Sequence, residues 1–253
     1  MNEPLSFDKD YFSTQSVSYA RYRPRYPAAL FGFIAAQCPV REQAWDVATG
    51  NGQAAHALAR HFAHVVATDA SRQQIARAVP RNQVTYRVEP AEATSLARQS
   101  VDVVTVAQAL HWLDVDRFYA EVRRVLKPGG MLAAWTYGLF RVTPYVDRVL
   151  DRYYHDLVGS YWPPERRHVE AAYRTLPFPF ERLAAPAFEM DVLWSLTDVQ
   201  GYLGTWSATQ RYKEAKERDP VEGIRVELKA AWGEVDVRPV RWPLHVCMGR
   251  PSR

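Results

Sequence analysis

Short apolar runs alternate with polar, glycine-bearing turns through the first half of the chain. Gln43–Ala48, His64–Thr68, Val84–Val88, Val101–Ala107 and Met131–Thr136 read as five strands. Val101–Ala107 is an almost unbroken apolar run, which suits a strand buried on both faces. Helices fall between them. Ala28–Gln37 places Leu30, Phe31 and Ile34 on one face. Ser71 caps a helix over Ser71–Ala78. Asp114 or Asp116 caps another that runs through Leu126, where Pro128-Gly129-Gly130 stops it. Strands alternating with helices predict an α/β fold with a largely parallel sheet.

The pattern changes after residue 138. PYVDRVLDRYYHDLVGSYWPPERR and LPFPFERLAAP are rich in aromatics and prolines. Helices are expected over about Pro144–Leu157, Asp198–Lys216 and Pro220–Trp232, and strands over Phe188–Trp194 and Val240–Met248. The organisation predicted is a lid segment at 1–25, a regular core at 26–137, and a stretch at 138–253. That last stretch combines cap insertions over the mouth of the site with the last two strands of the same sheet.

Composition narrows the picture. At 253 residues, 47% hydrophobic and 24% charged, the chain can bury a full core. The net charge of +4 is mildly basic and mostly arginine, with no basic run of the kind a nucleic-acid arm needs. Cys38 and Cys247 are far apart and have no metal-ligand spacing, so a reducing, cytoplasmic setting is expected. The N-terminus lacks a charged start followed by an apolar stretch, and no apolar run is long enough to cross a bilayer. His56, His61 and His64 are not an i, i+4 pair and have no accompanying acid or thiol, so no metal is expected.

The chemistry concentrates in WDVATGNGQAAHALARHF. Asp46 ends the first strand, Gly50 and Gly52 form the turn, and Gln53 opens a helix. The second strand ends in Asp69. In a doubly wound domain this order holds a nucleoside-bearing ligand: glycines admit backbone contact, and the second acid takes ribose hydroxyls. A dinucleotide site would want G-x-G-x-x-G, and the third glycine position is absent. A ligand without phosphates, such as S-adenosylmethionine, fits better. Asp46 then stands near its ammonium and the turn N–H groups near its carboxylate.

These residues resemble the class I S-adenosylmethionine-dependent methyltransferases, and within them the small-molecule branch that includes trans-aconitate methyltransferases. The motifs are WDVATGNGQAA, VVATDAS, VEPAEATSLARQSVDVVTVAQALHWLDVDRF and EVRRVLKPGG, spanning roughly 43–137. FSTQSVSYARYRPRYP, YWPPER, PFPF, TWSATQRY and RWPLHV extend the likeness outward. Ala48 stands where that family usually has glycine. The resemblance implies a Rossmann-like, seven-stranded, mostly parallel sheet with helices on both faces, an antiparallel last strand and a helical cap. It implies S-adenosyl-L-methionine as cofactor and S-adenosyl-L-homocysteine as product. Asp46, Ala48, Thr49, Gly50, Asn51, Gly52 and Gln53 would hold the methionine end. Asp69 would take the ribose, with Ala70 and Ser71 beside the adenine. Ala91 and Glu92 would meet the adenine amino group, and Gln108 would border the sulfonium.

For the acceptor, His111 and Trp112 follow the fourth strand at its carboxyl end, where such sheets bind ligands. His111 is either a base or polar anchor for the acceptor, or a loop residue bonded to backbone. Trp112 and Tyr137 are either acceptor walls or packing. In the lid, Tyr19, Arg21 and Arg23 are placed to shield the sulfonium and clamp an anion. In the cap, Arg141, Trp162, Trp206, Gln210 and Arg211 are candidates for acceptor contact. The function expected is O-methylation of a small, anionic acceptor, with a carboxylic acid leading and an amine, phenol or carbon acid as alternatives. A non-catalytic binding protein on the same fold, a macromolecular methyltransferase and a nicotinamide oxidoreductase are the rival readings. A monomer or homodimer is expected.

Overall fold

The structure is a computed structural model and describes residues 24–252. Two compact units are present. The larger takes in Pro24–Val142, Pro163–Val192 and the chain from Pro239 onward, and the smaller takes in Thr143–Trp162 and Leu193–Arg238.

The larger unit is built on one mixed sheet. Its strands are β1 (Gln43–Val47), β2 (His64–Asp69), β3 (Val84–Val88), β4 (Val101–Ala107), β5 (Leu126–Thr136), β6 (Glu181–Leu183), β7 (Phe188–Ser195) and β8 (Val237–Arg250). The order is β3-β2-β1-β4-β5-β8-β6, with β7 also paired to β8. The pairs from β3 to β5 are parallel, and β8 runs antiparallel to β5. The expected mostly parallel sheet with an antiparallel last strand is therefore present. The strand count is eight because β6, too short and proline-flanked to show a period in sequence, adds an edge piece beside β8.

The parallel strands are apolar because helices cover them. Those helices are α1 (Ala28–Ala36), α2 (Gln53–Leu58), α3 (Arg72–Ala76), α4 (Val115–Val125) and α6 (Arg166–Glu170). β4 is buried over its first six residues, and Trp45, Val104, Phe118, Val122 and Leu132 share one core cluster. Asp102 interrupts that apolar run. Its carboxylate accepts the Glu42 and Gln43 N–H groups at 2.8 and 2.9 Å and pairs with Lys127 at 3.0 Å. Asp114, and not Asp116, caps α4, accepting the Arg117 N–H. The helix ends at Val125 because Leu126 already pairs with Val101, and the register shift before Val103 absorbs the Pro-Gly-Gly segment.

The smaller unit holds α5 (Pro144–Arg152), one π turn over Tyr153–Leu157, α7 (Leu196–Gly204), α8 (Ser207–Lys216) and α9 (Pro220–Trp232). The single helix expected over Asp198–Lys216 is two. A Ser195–Asp198 capping box starts α7, and Trp206 is extended at φ −70°, ψ 138° between α7 and α8. The carbonyls freed at that break are taken by side chains. Thr205 Oγ1 donates to Tyr202 O at 2.7 Å, and Gln210 Nε2 donates to Gly204 O. The helix expected to run to Leu157 instead widens after Arg152, where Val158 N donates to Tyr153 O in a π-type bond. Aromatic rings fill the unit: Tyr154 lies 5.0 Å from Trp162, and Trp206 lies within 6.0 Å of Tyr153, Tyr154, Trp162 and Tyr202.

Candidate active site

β1 and β4 are neighbours whose chain continuations leave in opposite directions across the sheet. The crevice beyond their carboxyl ends is the topological switch point, where α/β sheets bind ligands. Two loops meet this edge: Ala48–Gly52 after β1, and Gln108–Trp112 after β4.

The first loop is wound tightly. Ala48, Gly50 and Gly52 all have left-handed backbones, with φ of 50°, 58° and 90°. Glycine accepts this freely, whereas alanine is strained there by about 1 kcal/mol. A Cβ on Gly50 would meet nothing nearer than Gln74 Oε1 at 4.0 Å, so the turn backbone is open on that side. Gly52 is the opposite case, since a Cβ there would overlap the Tyr86 hydroxyl.

Two carboxylates lock the loop. Asp69, at the end of β2, accepts the Gly50 N–H at 2.9 Å with one oxygen and the Ser71 N–H at 2.8 Å with the other. Burial pushes its carboxyl above the ordinary range, opposed by those two N–H groups. Asp46 is fully buried and turned inward. It accepts the Thr49 hydroxyl at 2.6 Å and the Thr105 hydroxyl at 2.8 Å, and the Ala55 N–H at the start of α2 favours its charged form. Thr105 is its register partner on β4. Burial lifts the Asp46 carboxyl to about 6, against the pull of those donors. Here Asp46 serves as an internal staple joining β1, β4, the turn and α2.

Gln53 has a second task in the structure. Its Oε1 accepts the Tyr26 N–H and its Nε2 donates to Pro24 O, both at 3.3 Å. The segment before α1 is thereby tied to the first turn of α2, and Tyr26 stands edge-on to Trp135 at 5.4 Å. Thr49 donates its backbone N–H to Thr68 O at 2.9 Å, and Asn51 is exposed. Beyond β2, Ala70 is exposed, and Ser71 is the N-cap of α3. Ala91 faces the core, while Glu92 Oε1 accepts the Asp114 N–H at 3.1 Å, beside the cap of α4.

The second loop starts with Gln108, whose φ is +58°. Its carboxamide pairs with the backbone of Tyr137, accepting N–H and donating to the carbonyl, both at 2.9 Å. Thr136 Oγ1 donates to the same Gln108 oxygen at 2.6 Å. His111 is half-buried, 4.7 Å ring to ring from Trp112, and its Nδ1 lies 3.0 Å from the Tyr173 hydroxyl. Tyr137 is buried with its ring 6.4 Å from Tyr26.

The structure thus brings Asp46, Ala48–Gln53, Asp69, Gln108 and the His111–Trp112 pair to the carboxyl edge of one sheet. Tyr19, Arg21 and Arg23 lie outside the described residues. Trp206, Gln210, Trp162 and Arg211 belong to the smaller unit, where Arg211 donates to Tyr161 O at 3.2 Å. Arg141 is exposed, its backbone bridged to Arg241. Thr105, Tyr86, Thr136 and Tyr173 were not singled out in the sequence. Thr105 and Thr136 read as ordinary strand residues, and nothing local marks Tyr173, whose left-handed φ of 59° appears only in the fold. Among the described residues no group of three His, Cys, Asp or Glu side chains is placed to hold a metal ion, and no helix is long and apolar enough to cross a membrane.

Comparison with known proteins agrees with this edge. A family model described as a methyltransferase domain matches residues 45–134, from β1 into β5. A Dictyostelium discoideum protein named as a methyltransferase is 32% identical across 98% of this chain and 97% of its own length. A solved structure from Anaeromyxobacter dehalogenans, described as a type II methyltransferase, is 49% identical with a TM-score of 0.86, covering 91% of this chain and 99% of that one. A Bacillus halodurans structure described as a methyltransferase, 21% identical with a TM-score of 0.51 over 89% of this chain and 99% of that one, shares the fold. The glycine turn, the acid after β2 and these full-length relatives lead to one conclusion: the chain belongs to the class I, S-adenosylmethionine-dependent methyltransferases.

Proposed function

We propose that the chain transfers the methyl group of S-adenosylmethionine to an oxygen of a small molecule. The observation that carries this is the pairing of Asp69 with the Gly50 turn at the switch point, beside the His111–Trp112 loop of β4. The residues fit that cofactor. The backbone beside Gly50 is open, no phosphate-binding third glycine is present, and Asp69 keeps lone pairs beyond the two it gives to N–H groups. Asp69 would hold the ribose hydroxyls, the turn backbone the methionine end, and Glu92 and Ala91 the adenine side. Bound there, the cofactor supplies an electrophilic methyl group on a sulfonium.

The work left to the protein is alignment and exclusion of water, which can supply most of such a rate enhancement. A carboxylic acid is the leading acceptor. That choice draws on the likeness to the trans-aconitate branch and on Arg21 and Arg23. A carboxylate is already ionised near neutral pH and needs no base. A hydroxyl acceptor is the second reading, favoured by the placement of His111, because a hydroxyl must lose a proton.

The test is methyl transfer from labelled cofactor to two pools, one of di- and tricarboxylic acids and one of phenols and enols. Mild base then releases label as methanol from esters but not from ethers. Ester label supports the carboxylate reading, and base-stable label supports the hydroxyl reading. Absence of both cofactor binding and transfer would overturn the proposal.

A further inference from the structure

We infer that Gln53 is a positioning residue: its carboxamide clasps the backbone of Pro24–Tyr26 and so holds the Tyr26 ring as a wall of the crevice between the glycine turn and the end of β5. The consequence for turnover rests on the proposed methyl transfer.

The clasp is matched at both ends. Gln53 Oε1 accepts the Tyr26 N–H and Gln53 Nε2 donates to Pro24 O, both at 3.3 Å. A backbone N–H can only donate and a carbonyl can only accept, so the two contacts fix which end of the amide is oxygen. The clasped segment is stiff. Prolines at 24 and 27 have no N–H, which leaves Arg25 and Tyr26 as the only backbone donors between them. The proline rings also fix φ, and Tyr26, preceding Pro27, is pushed toward extended backbone. Pro27 is itself extended, at φ −67° and ψ 140°, and caps α1 without a side-chain bond. A chain so restricted has little freedom left to lose when one side chain pins it.

The far end of the segment is aromatic. The Tyr26 ring stands edge-on to Trp135 at 5.4 Å and lies 6.4 Å from both Tyr137 and Phe31. Tyr26 is half-buried, whereas Trp135 and Phe31 are buried and give the ring a fixed bed. Gln53 follows β1, Tyr137 follows β5, and β4 lies between those two strands. Two strand spacings are about 10 Å, a distance that three residues and a tyrosine side chain can bridge. The segment therefore spans the carboxyl end of β4, where Gln108 holds the Tyr137 backbone. One side chain on the helix after the glycine turn thus sets a ring on the acceptor side of the same edge. A ring there excludes water and presents a π face to a sulfonium.

The experiment follows the Tyr26 amide by hydrogen exchange, using NMR of the full chain labelled at tyrosine nitrogen. Its signal is assigned as the one missing in Tyr26→Phe. Exchange should be slow in the native chain and about 10-fold faster in Gln53→Met, the scale of losing ordinary hydrogen bonds. Methionine is close in size and a good helix former, so α2 is kept. Equal exchange in the two proteins overturns the inference. Calorimetry with S-adenosylhomocysteine should show affinity within about threefold of the native chain. A larger loss in Gln53→Met that Tyr26→Ala does not share would make the side chain a direct cofactor ligand, and also overturns it. In turnover, Gln53→Met and Tyr26→Ala should each lower kcat by about 10-fold with cofactor KM unchanged, since small misplacements near the reacting atoms are costly. The double variant should be no slower than Tyr26→Ala alone, because the clasp acts through the ring, and losses that multiply overturn the inference. Gln53→Glu keeps an acceptor for Tyr26 N–H but no donor for Pro24 O, and should fall between Gln53→Met and the native chain. If Tyr26→Ala fails to fold, the amide exchange of Gln53→Met decides alone. That exchange is read without cofactor or acceptor. Its failure would leave methyl transfer intact, and a failure of methyl transfer would leave the exchange result standing.

Discussion

The two units of this protein are held together by different means. The larger is organised by a few polar groups at strand ends: Asp46 on Thr49 and Thr105, Asp69 on Gly50 and Ser71, Gln108 on Tyr137. Each fixes a backbone turn to within a hydrogen bond. The smaller is organised by ring on ring, with Tyr153, Tyr154, Trp162, Tyr202 and Trp206 packed between broken helices. Polar staples specify geometry with little tolerance. Aromatic packing supplies burial and admits several arrangements of similar energy. One unit is thus suited to hold a single cofactor, and the other to vary.

Four substitutions or conditions would break or sharpen that contrast. The largest effect is expected from Tyr154→Ala. It removes a ring that is 2% exposed and should cost about 3–5 kcal/mol. Hydrogen exchange should show faster opening of α7 and α8, with cofactor affinity nearly unchanged. Loss of affinity equal to the loss of stability would erase the distinction between the units.

Next is the pH dependence of Asp46. Its folded carboxyl titrates near 6, above the unfolded value of 3.8, so the folded state binds the proton more tightly. Its contribution therefore becomes more favourable as pH falls through about 6 toward 4, and is lost as pH rises, by up to ~3 kcal/mol. Denaturant melts of the native chain and Asp46→Asn across this window should differ in slope in that direction. Parallel profiles would mean that the buried carboxyl titrates normally.

Asp69→Ala removes two charge-assisted bonds from the turn. Cofactor affinity should fall by about 30- to 100-fold by calorimetry, on the order of 2–3 kcal/mol. An affinity within threefold of the native chain would remove Asp69 from the cofactor site.

The smallest effect is Ala48→Gly. Relief of the left-handed alanine at φ 50° is offset by the extra freedom of glycine in the unfolded chain. A net gain of up to about 1 kcal/mol is expected, seen as a small rise in midpoint. A loss would show that the Ala48 methyl packs usefully against the core it borders.

The legibility of the chain follows the same divide. β1 to β4 and the loop after β1 could be read because hydrophobic period and turn chemistry are local properties. Gly50, Gly52 and Asp69 announced themselves by residue type. The inward turn of Asp46 did not, because its partner Thr105 is set by strand register and lies 59 positions away. The break at Thr205–Trp206 was hidden for a related reason. The helical pattern runs through it, and only the ring cluster that captures Trp206 gives the kink a purpose. Tyr173 was invisible because its significance depends on a hydroxyl meeting His111 across 62 positions.

Gly52 and Tyr86 carry a consequence for how such a sequence can change over time. The tyrosine hydroxyl, bonded to Val79 O at 3.3 Å, occupies the space where any side chain at 52 would begin. The two positions form a single heritable character: a lineage cannot replace the glycine without first shrinking or moving the ring. The reverse order is open, since losing the ring leaves the glycine in place. Drift at this edge of the sheet is therefore one-sided: β3 is free to move, while the left-handed φ of 90° at Gly52 holds the glycine even after the ring has gone.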